Sequence, residues 1–345
     1  MLHRVKPRAI SNPPNPWLSA EVEWLEPQPA RLEILADATR EILSRNDSAD
    51  IGFTWSVNPY RGCLHACAYC YARAYHEYLG YGAGTDFETR LVVKLRAPEL
   101  LRAAFERPGW TGETVAFSGG TDAWQPLEAA YRLTRRCLEV CLEYRNPVCI
   151  VTKGALLERD LDLLVRLRDE ARVSVAISLP YVDDGLARKI EPLASSPSRR
   201  LRLIARLAEA GLAPAVLVAP VIPGLDDELP RVLAAARDAG ADRAGWQLVR
   251  LPGPVAPVFE ERLREVLPER AERILHLIRE TRGGALSDDR VGRRMRGAGP
   301  YAATIAALFQ ATCERLGYAQ ARFEEAEQAP STFRRPGGGA QLALL

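Results

Sequence analysis

Short apolar or β-branched runs recur through the middle of the chain, at 54–58, 114–118, 147–152, 172–179, 214–220 and 244–251. Each is followed by a longer stretch, and helical spacing is clear at 127–144, 160–170, 199–210 and 227–239. A crossover helix returns the chain to the same end of a sheet, so six strand-then-helix units in a row predict parallel strands. The run 215–219 is apolar throughout instead of alternating, as a strand covered on both faces is. The expected fold is α/β, a partial (βα)6 TIM-type barrel with N- and C-terminal extensions. An open doubly wound sheet is the alternative that strand counting leaves standing.

The flanks read differently. Residues 1–50 are proline-rich early (Pro13, Pro14, Pro16, Pro27, Pro29), and apolar spacing over 32–43 then predicts one helix, giving an N-terminal arm. The barrel is expected over 51–255, interrupted by an insertion at 81–110 that carries a strand at 90–95 and a helix at 98–105. A helical extension over 256–330 follows, with helices at 269–282 and 301–316 around a basic loop at 288–296. The Gly/Pro-rich tail, 331–345, is expected to be mobile.

Composition narrows the class. Apolar residues make up 47% and charged residues 26% of 345, a globular balance. The net charge of +2 gives no global attraction for a polyanion, so any nucleic-acid contact needs a local basic stripe. Residues 1–10 have basic groups with no apolar stretch behind them, and later apolar runs are cut by proline before membrane length, so no span and a cytoplasmic location are expected. Seven cysteines, three of them crowded together, do not form a secreted disulfide framework and point to metal or redox chemistry in a reducing compartment.

The crowded segment reads Asn58-Pro59-Tyr60-Arg61-Gly62-Cys63-Leu64-His65-Ala66-Cys67-Ala68-Tyr69-Cys70-Tyr71-Ala72-Arg73. Soft thiolates at i, i+4 and i+7 suit iron–sulfur or zinc, and a cubane held by only three cysteines leaves one iron open to a small chelator. Pro59 and Gly62 argue for a loop at the C-terminal end of the first strand, where βα barrels keep their active sites. Two alternatives stand beside this: three cysteines packed in a core, and a zinc site completed by His65 or His76. Cys137, Cys141, Cys149 and Cys313 are read as core packing.

Cys-x3-Cys-x2-Cys with Tyr69 before its last cysteine resembles the signature of the radical S-adenosylmethionine (SAM) superfamily. Over about half the chain the sequence is similar to the branch that contains spore photoproduct lyase. The resemblance implies a [4Fe-4S] cluster on Cys63, Cys67 and Cys70, with SAM as second cofactor and Tyr69 near its adenine. It places the methionyl amine at Ser118, Gly119, Gly120, Thr121 and Asp122. Those glycines independently allow close backbone approach, and Thr121 and Asp122 can accept from an ammonium. Lys153 is placed beside the methionyl carboxylate and Ser178 on the ribose, while Glu191-Pro192, Arg200 and Val218-Ala219-Pro220 fall at the barrel mouth.

The activity implied is reductive cleavage of SAM to a 5′-deoxyadenosyl radical that abstracts hydrogen from a substrate, with electrons from a flavodoxin- or ferredoxin-like donor. The lyase analogy points to a nucleic acid or nucleotide as substrate. One departure matters: where spore photoproduct lyases carry a cysteine hydrogen donor, this chain has Gly119-Gly120, which puts thymine-dimer repair by that route in doubt. A peptide or small metabolite is the alternative substrate, and a zinc-stabilised, non-catalytic nucleic-acid-binding protein the alternative of another class. Arg290, Arg293, Arg294 and Arg296 are candidates for binding an anionic substrate, and Tyr60, Trp124 and Tyr181 for stacking on a base.

Overall fold

The structure is a computed structural model that describes residue 13 and residues 31–117, 119–320 and 330–336. Two strands, β1 (Glu33–Ala36) and β2 (Leu43–Arg45), precede β3 (Trp55–Val57). The connection to β6 (Val115–Phe117) holds β4 (Tyr60–Arg61), α1 (Arg73–His76), α2 (Thr85–Thr89), β5 (Arg90–Val93) and α3 (Ala97–Phe105). Next come α4 (Glu128–Tyr131), α5 (Leu133–Glu143), β7 (Val148–Thr152), α6 (Leu161–Glu170), β8 (Val173–Ser178), α7 (Asp184–Ile190), α8 (Pro197–Glu209), β9 (Ala215–Val221), α9 (Glu228–Asp238) and β10 (Arg243–Leu248). Then α10 (Val255–Val266), α11 (Pro268–Thr281) and α12 (Pro300–Leu316) lead to β11 (Ala319–Gln320).

The main sheet has the order β11-β10-β9-β8-β7-β6-β3-β2. From β3 to β10 the neighbours are parallel and follow chain order, without the reversal a doubly wound sheet needs. The architecture is therefore a partial TIM-type barrel, edged by antiparallel β2 on one side and β11 on the other. A second sheet, β1-β5-β4, stands beside the first strand.

The pattern works as hydrophobic periodicity requires. Val57, Phe117, Ile150, Ile177, Val216 and Trp246 from successive strands share one core with Leu138, Leu164, Leu203 and Val232 from the helices. The helix α8 shows how local signals place such a stripe. Ser196 accepts from Arg199 N–H, Pro197 occupies the first turn, and Leu203, Ile204 and Leu207 are buried. Among the described residues no helix is long and apolar enough to cross a membrane.

Four expectations change. The helix expected over 32–43 is instead β1 and β2, because Ile34 pairs with Leu91 of β5 and Leu43 with Val57 of β3, and sheet pairing overrides local propensity. The stretch 127–144 is two helices, broken at Arg132 in the left-handed region (φ 53°), where buried Glu128 accepts from the Thr134 and Arg135 N–H groups that open α5. The helix α10 was hidden by Pro252, Pro254 and Pro257. Finally, 330–336 is docked, not loose: Phe333 stacks on Tyr144 with centroids 6.1 Å apart, and Arg335 donates to the carbonyls of Phe105, Arg107 and Trp110. Most of the arm before residue 31 and the tail beyond 336 lie outside the described residues.

Candidate active site

Beyond β4 the chain cannot continue as a strand, because Gly62 turns into the left-handed region (φ 72°) with a Cβ-sized gap closed by Leu91 and the Phe87 carbonyl. A loop follows, turned again at Ala66 (φ 54°) and pinned by Cys63 N–H to Phe87 O and Ala68 N–H to Ile190 O. The carboxamide of Gln125 clamps it from the β6 side, accepting from Leu64 N–H and donating to Gly62 O. From the other side the fully buried Arg73 donates twice to Cys67 O and also to Ala83 O and Gly84 O, and pairs with buried Glu88. Charge and all main donors of that guanidinium are spent on holding one loop shape.

The loop presents Cys63, Cys67 and Cys70, none of them disulfide-bonded. Burial pushes all three thiols up, and Cys70 adds to the shift at both Cys63 and Cys67, as a close neighbour does. Three neighbouring soft donors from one loop fit an iron–sulfur cluster, whose positive charge deprotonates its ligands outright. Among the described residues no three His, Cys, Asp or Glu side chains converge on a point suited to one metal ion. His65 lies against Asp122 (Nδ1 to Oδ2, 3.4 Å) and His76 packs between Tyr81 and Phe87, so neither completes a single-ion site with the thiols.

Facing the loop is the turn after β6. Ser118 lies outside the described residues. Asn58 Oδ1 accepts from Gly120 N–H (2.5 Å) and Thr121 N–H (3.3 Å), while a Cβ on Gly119 would stand 2.8 Å from Ser56. Thr121 Oγ1 donates to Tyr60 O at 2.9 Å. The carboxylate of Asp122 is occupied: it accepts from Thr152 Oγ1 (2.6 Å), Lys153 N–H (2.8 Å) and Trp124 N–H (2.9 Å), besides meeting His65. Burial raises its pKa, but His65 and these donors outweigh that and hold it ionised well below the usual carboxylate range. Asp122 thus ties the turn to the end of β7, and its acceptor sites are filled within the protein, contrary to the expectation that it receives an ammonium.

Lys153 reaches inward from the end of β7. Its Nζ donates to Ser178 Oγ at 2.9 Å and sits 5.6 Å from the centre of the Tyr69 ring. Burial pushes its pKa down, while Cys67, Asp122 and Cys70 oppose that shift and Arg200 adds to it. Ser178 Oγ donates in turn to Ala219 O, and the Tyr69 hydroxyl bonds Glu191, which pairs with Arg200, whose Nη1 donates to Ser178 O. The structure thus gathers the cysteine loop, residues 119–122, Lys153 and Ser178 at the C-terminal ends of β3, β6, β7 and β8. Asn58, Gln125, Arg73–Glu88 and His65 complete the site, and no spacing rule ties them to it.

Other candidates fall elsewhere. Tyr60, Trp124 and Tyr181 are at most 1% exposed, so none offers a ring to a base; Tyr60 bonds Glu128, and Trp124 Nε1 donates to Asp160. In the basic segment Arg290 and Arg293 face solvent and share Asp288, and Arg296 is exposed as well. Arg294 binds Asp50 and Ser48 in the β2–β3 connection, and Arg296 donates to Trp246 O while lying 4.6 Å over its ring. These two arginines are structural, joining the segment to both ends of the main sheet. Cys137, Cys141 and Cys313 are buried in the main core.

A family model described as the radical SAM superfamily matches residues 57–236. An uncharacterised protein of Mycobacterium tuberculosis is 39% identical over 236 residues, 68% of this chain and 69% of the relative. A protein of Pseudomonas phage M6 named radical SAM Nalpha-GlyT isomerase is 26% identical over 234 residues, 66% of this chain and 46% of the relative. A solved structure of a spore photoproduct lyase variant with bound AdoMet and dinucleoside spore photoproduct covers 87% of each chain with a TM-score of 0.62. At 16% identity that is a likeness of fold.

Proposed function

The chain belongs to the radical SAM superfamily, enzymes that work with a [4Fe-4S] cluster and SAM and need an electron donor, and from that premise we propose that Cys63, Cys67 and Cys70 hold the cluster. When bound and reduced, the cluster and SAM together supply a hydrogen-abstracting 5′-deoxyadenosyl radical. Lys153, fixed by Ser178 and lined up beside Tyr69, neutralises the methionyl carboxylate. The Gly119–Gly120 backbone, held flat against Ser56 and Asn58, receives the methionyl amine together with Ser118 and Thr121. Asp122 acts through position: it locks that turn to Lys153 and to His65 of the cysteine loop. Tyr69 presents its backbone to adenine while Glu191 and Arg200 hold its ring, and Ser178 meets the ribose.

The observation that carries this reading is one loop with three neighbouring thiols, Cys63 and Cys67 buried and Cys70 half-buried, opposite an inward lysine, inside the stretch matched by the family model. The substrate is a nucleic acid or nucleotide. That class is supported by analogy with the dinucleoside ligand of the fold neighbour. A flavodoxin- or ferredoxin-like protein delivers the electron, in the reducing cytoplasm where thiols stay unpaired.

The test is anaerobic reconstitution with iron and sulfide, followed by dithionite and SAM. A brown protein that forms 5′-deoxyadenosine, with both properties lost in a Cys63→Ala, Cys67→Ala, Cys70→Ala triple variant, is the expected result. A protein that takes up zinc and stays colourless overturns it.

A further inference from the structure

The arginines near the barrel mouth are nearly all accounted for. Arg200 pairs with Glu191, Arg294 with Asp50, and Arg290 and Arg293 with Asp288. Arg282 donates to Arg293 O and Val249 O, and Arg296 to Trp246 O. Arg250 differs. It stands two residues past β10, at the C-terminal end where the site lies, and among the described residues it meets no oxygen. Its Nη1 reaches only Met295 Sδ at 3.9 Å, and its Nε is buried without a partner. Arg250 is only half-buried, so its guanidinium is within reach of a ligand, and an anion supplies the oxygen acceptors that the protein does not. Arg172, Arg262, Arg282 and Arg293 also have buried donors without a hydrogen-bond partner, but Arg172 precedes β8, at the opposite end of the sheet, and the other three each meet at least one oxygen.

What lies next to Arg250 selects the anion. Its guanidinium carbon is 6.0 Å from the ring centre of Tyr71, the residue directly after Cys70. The Tyr71 hydroxyl donates to Gly119 O, so the ring is fixed at the edge of the cofactor site, yet it is 38% exposed. Tyr75, 47% exposed, meets it edge-on with centroids 6.1 Å apart. A fixed, exposed aromatic face beside an unsatisfied planar cation is the pairing that single-stranded nucleic acid uses, base on ring and phosphate on guanidinium.

We infer that Arg250 is the phosphate anchor of this enzyme, holding one phosphodiester of a single strand so that the neighbouring base lies on Tyr71, beside the cluster loop. This rests on the nucleic-acid substrate proposed above. It moves substrate recognition from the basic segment to a single arginine outside it.

The experiment measures binding of a short fluorescein-labelled single-stranded oligodeoxynucleotide to the reconstituted protein by anisotropy, over a series of salt concentrations. Arg250→Ala weakens binding about tenfold or more and lowers the salt slope by about one, Arg250→Lys falls in between, and Arg290→Ala stays within about twofold. Thermal melting checks that each variant is folded. Strands with one neutral methylphosphonate linkage placed at each position in turn lose affinity for the wild type at one position, and Arg250→Ala removes that difference. Equal affinity of the wild type and Arg250→Ala overturns the assignment. So does a wild type that binds no strand although it forms 5′-deoxyadenosine, which leaves the SAM chemistry standing. A wild type that forms no 5′-deoxyadenosine brings down the enzymatic reading instead.

Discussion

Two regions of the mouth are built on different principles. Around the cysteine loop, Arg73–Glu88, Gln125, Asn58 and Asp122 are buried or nearly so, and almost every donor has its acceptor within the same wall. Across the opening, residues 288–296 meet the β2–β3 connection through Arg294 and Asp50, and two of their arginines face water around one aspartate. The first region is a preorganised wall, as the cofactor cradle proposed above requires. The second is a seam of few contacts that ties the segment to the β2–β3 connection and to β10.

If that contrast is right, variants in the cradle cost far more than variants in the seam. The largest effect is expected for Arg73→Ala, which takes the buried guanidinium away from Glu88 and removes four carbonyl contacts. Stability falls by about 3–5 kcal/mol in urea titration, and a loss below about 1 kcal/mol breaks the comparison.

Next comes a pH effect on the same wall. His76 packs against Phe87 and Tyr81 behind Gly62, with Asp86 and Arg61 as its nearest charges, and burial pushes its pKa down to about 4 from 6.5. The unfolded chain binds a proton that the folded chain refuses, so His76's contribution is intact above about pH 6.5 and is lost as pH falls toward 4. The loss reaches on the order of 3 kcal/mol. Urea midpoints of wild type and His76→Phe at about pH 7 and pH 5 test this: the variant's midpoint changes less.

Smaller again is Gly119→Ala. The added methyl meets Ser56 at 2.8 Å, and the overpacking costs about 1–3 kcal/mol while displacing the turn proposed to receive SAM. Isothermal titration shows weaker SAM binding to the loaded protein. The smallest effect belongs to the seam. Arg294→Ala costs about 1 kcal/mol, because the pair with Asp50 is only partly buried, and limited proteolysis near 288–296 becomes faster. A loss as large as that of Arg73→Ala shows that the seam is part of the rigid scaffold.

The same contrast explains what was legible. The cysteine spacing and the strand runs are local signals, each readable within a few positions, whereas residues 119–122, 153 and 178 are singled out by the family resemblance. The partners that make them work are not local. Asn58 and Gly120 are 62 residues apart, and Arg294 and Asp50 are 244 apart, so a basic run that looks like a binding surface is partly a structural clasp. The spacing at 32–43 misled for a related reason: its apolar residues serve two different strand partners, β5 and β3, instead of one helix face. Arg250 carries no sequence signal at all, since its importance lies in the acceptors it lacks.

The central claim is that three thiolates hold a cluster with one iron left for SAM. Electron paramagnetic resonance of the reduced, reconstituted protein tests it directly, with and without SAM. A [4Fe-4S] signal whose shape changes when SAM is added is expected, with no such signal in the triple cysteine variant. A signal that is identical with and without SAM contradicts it.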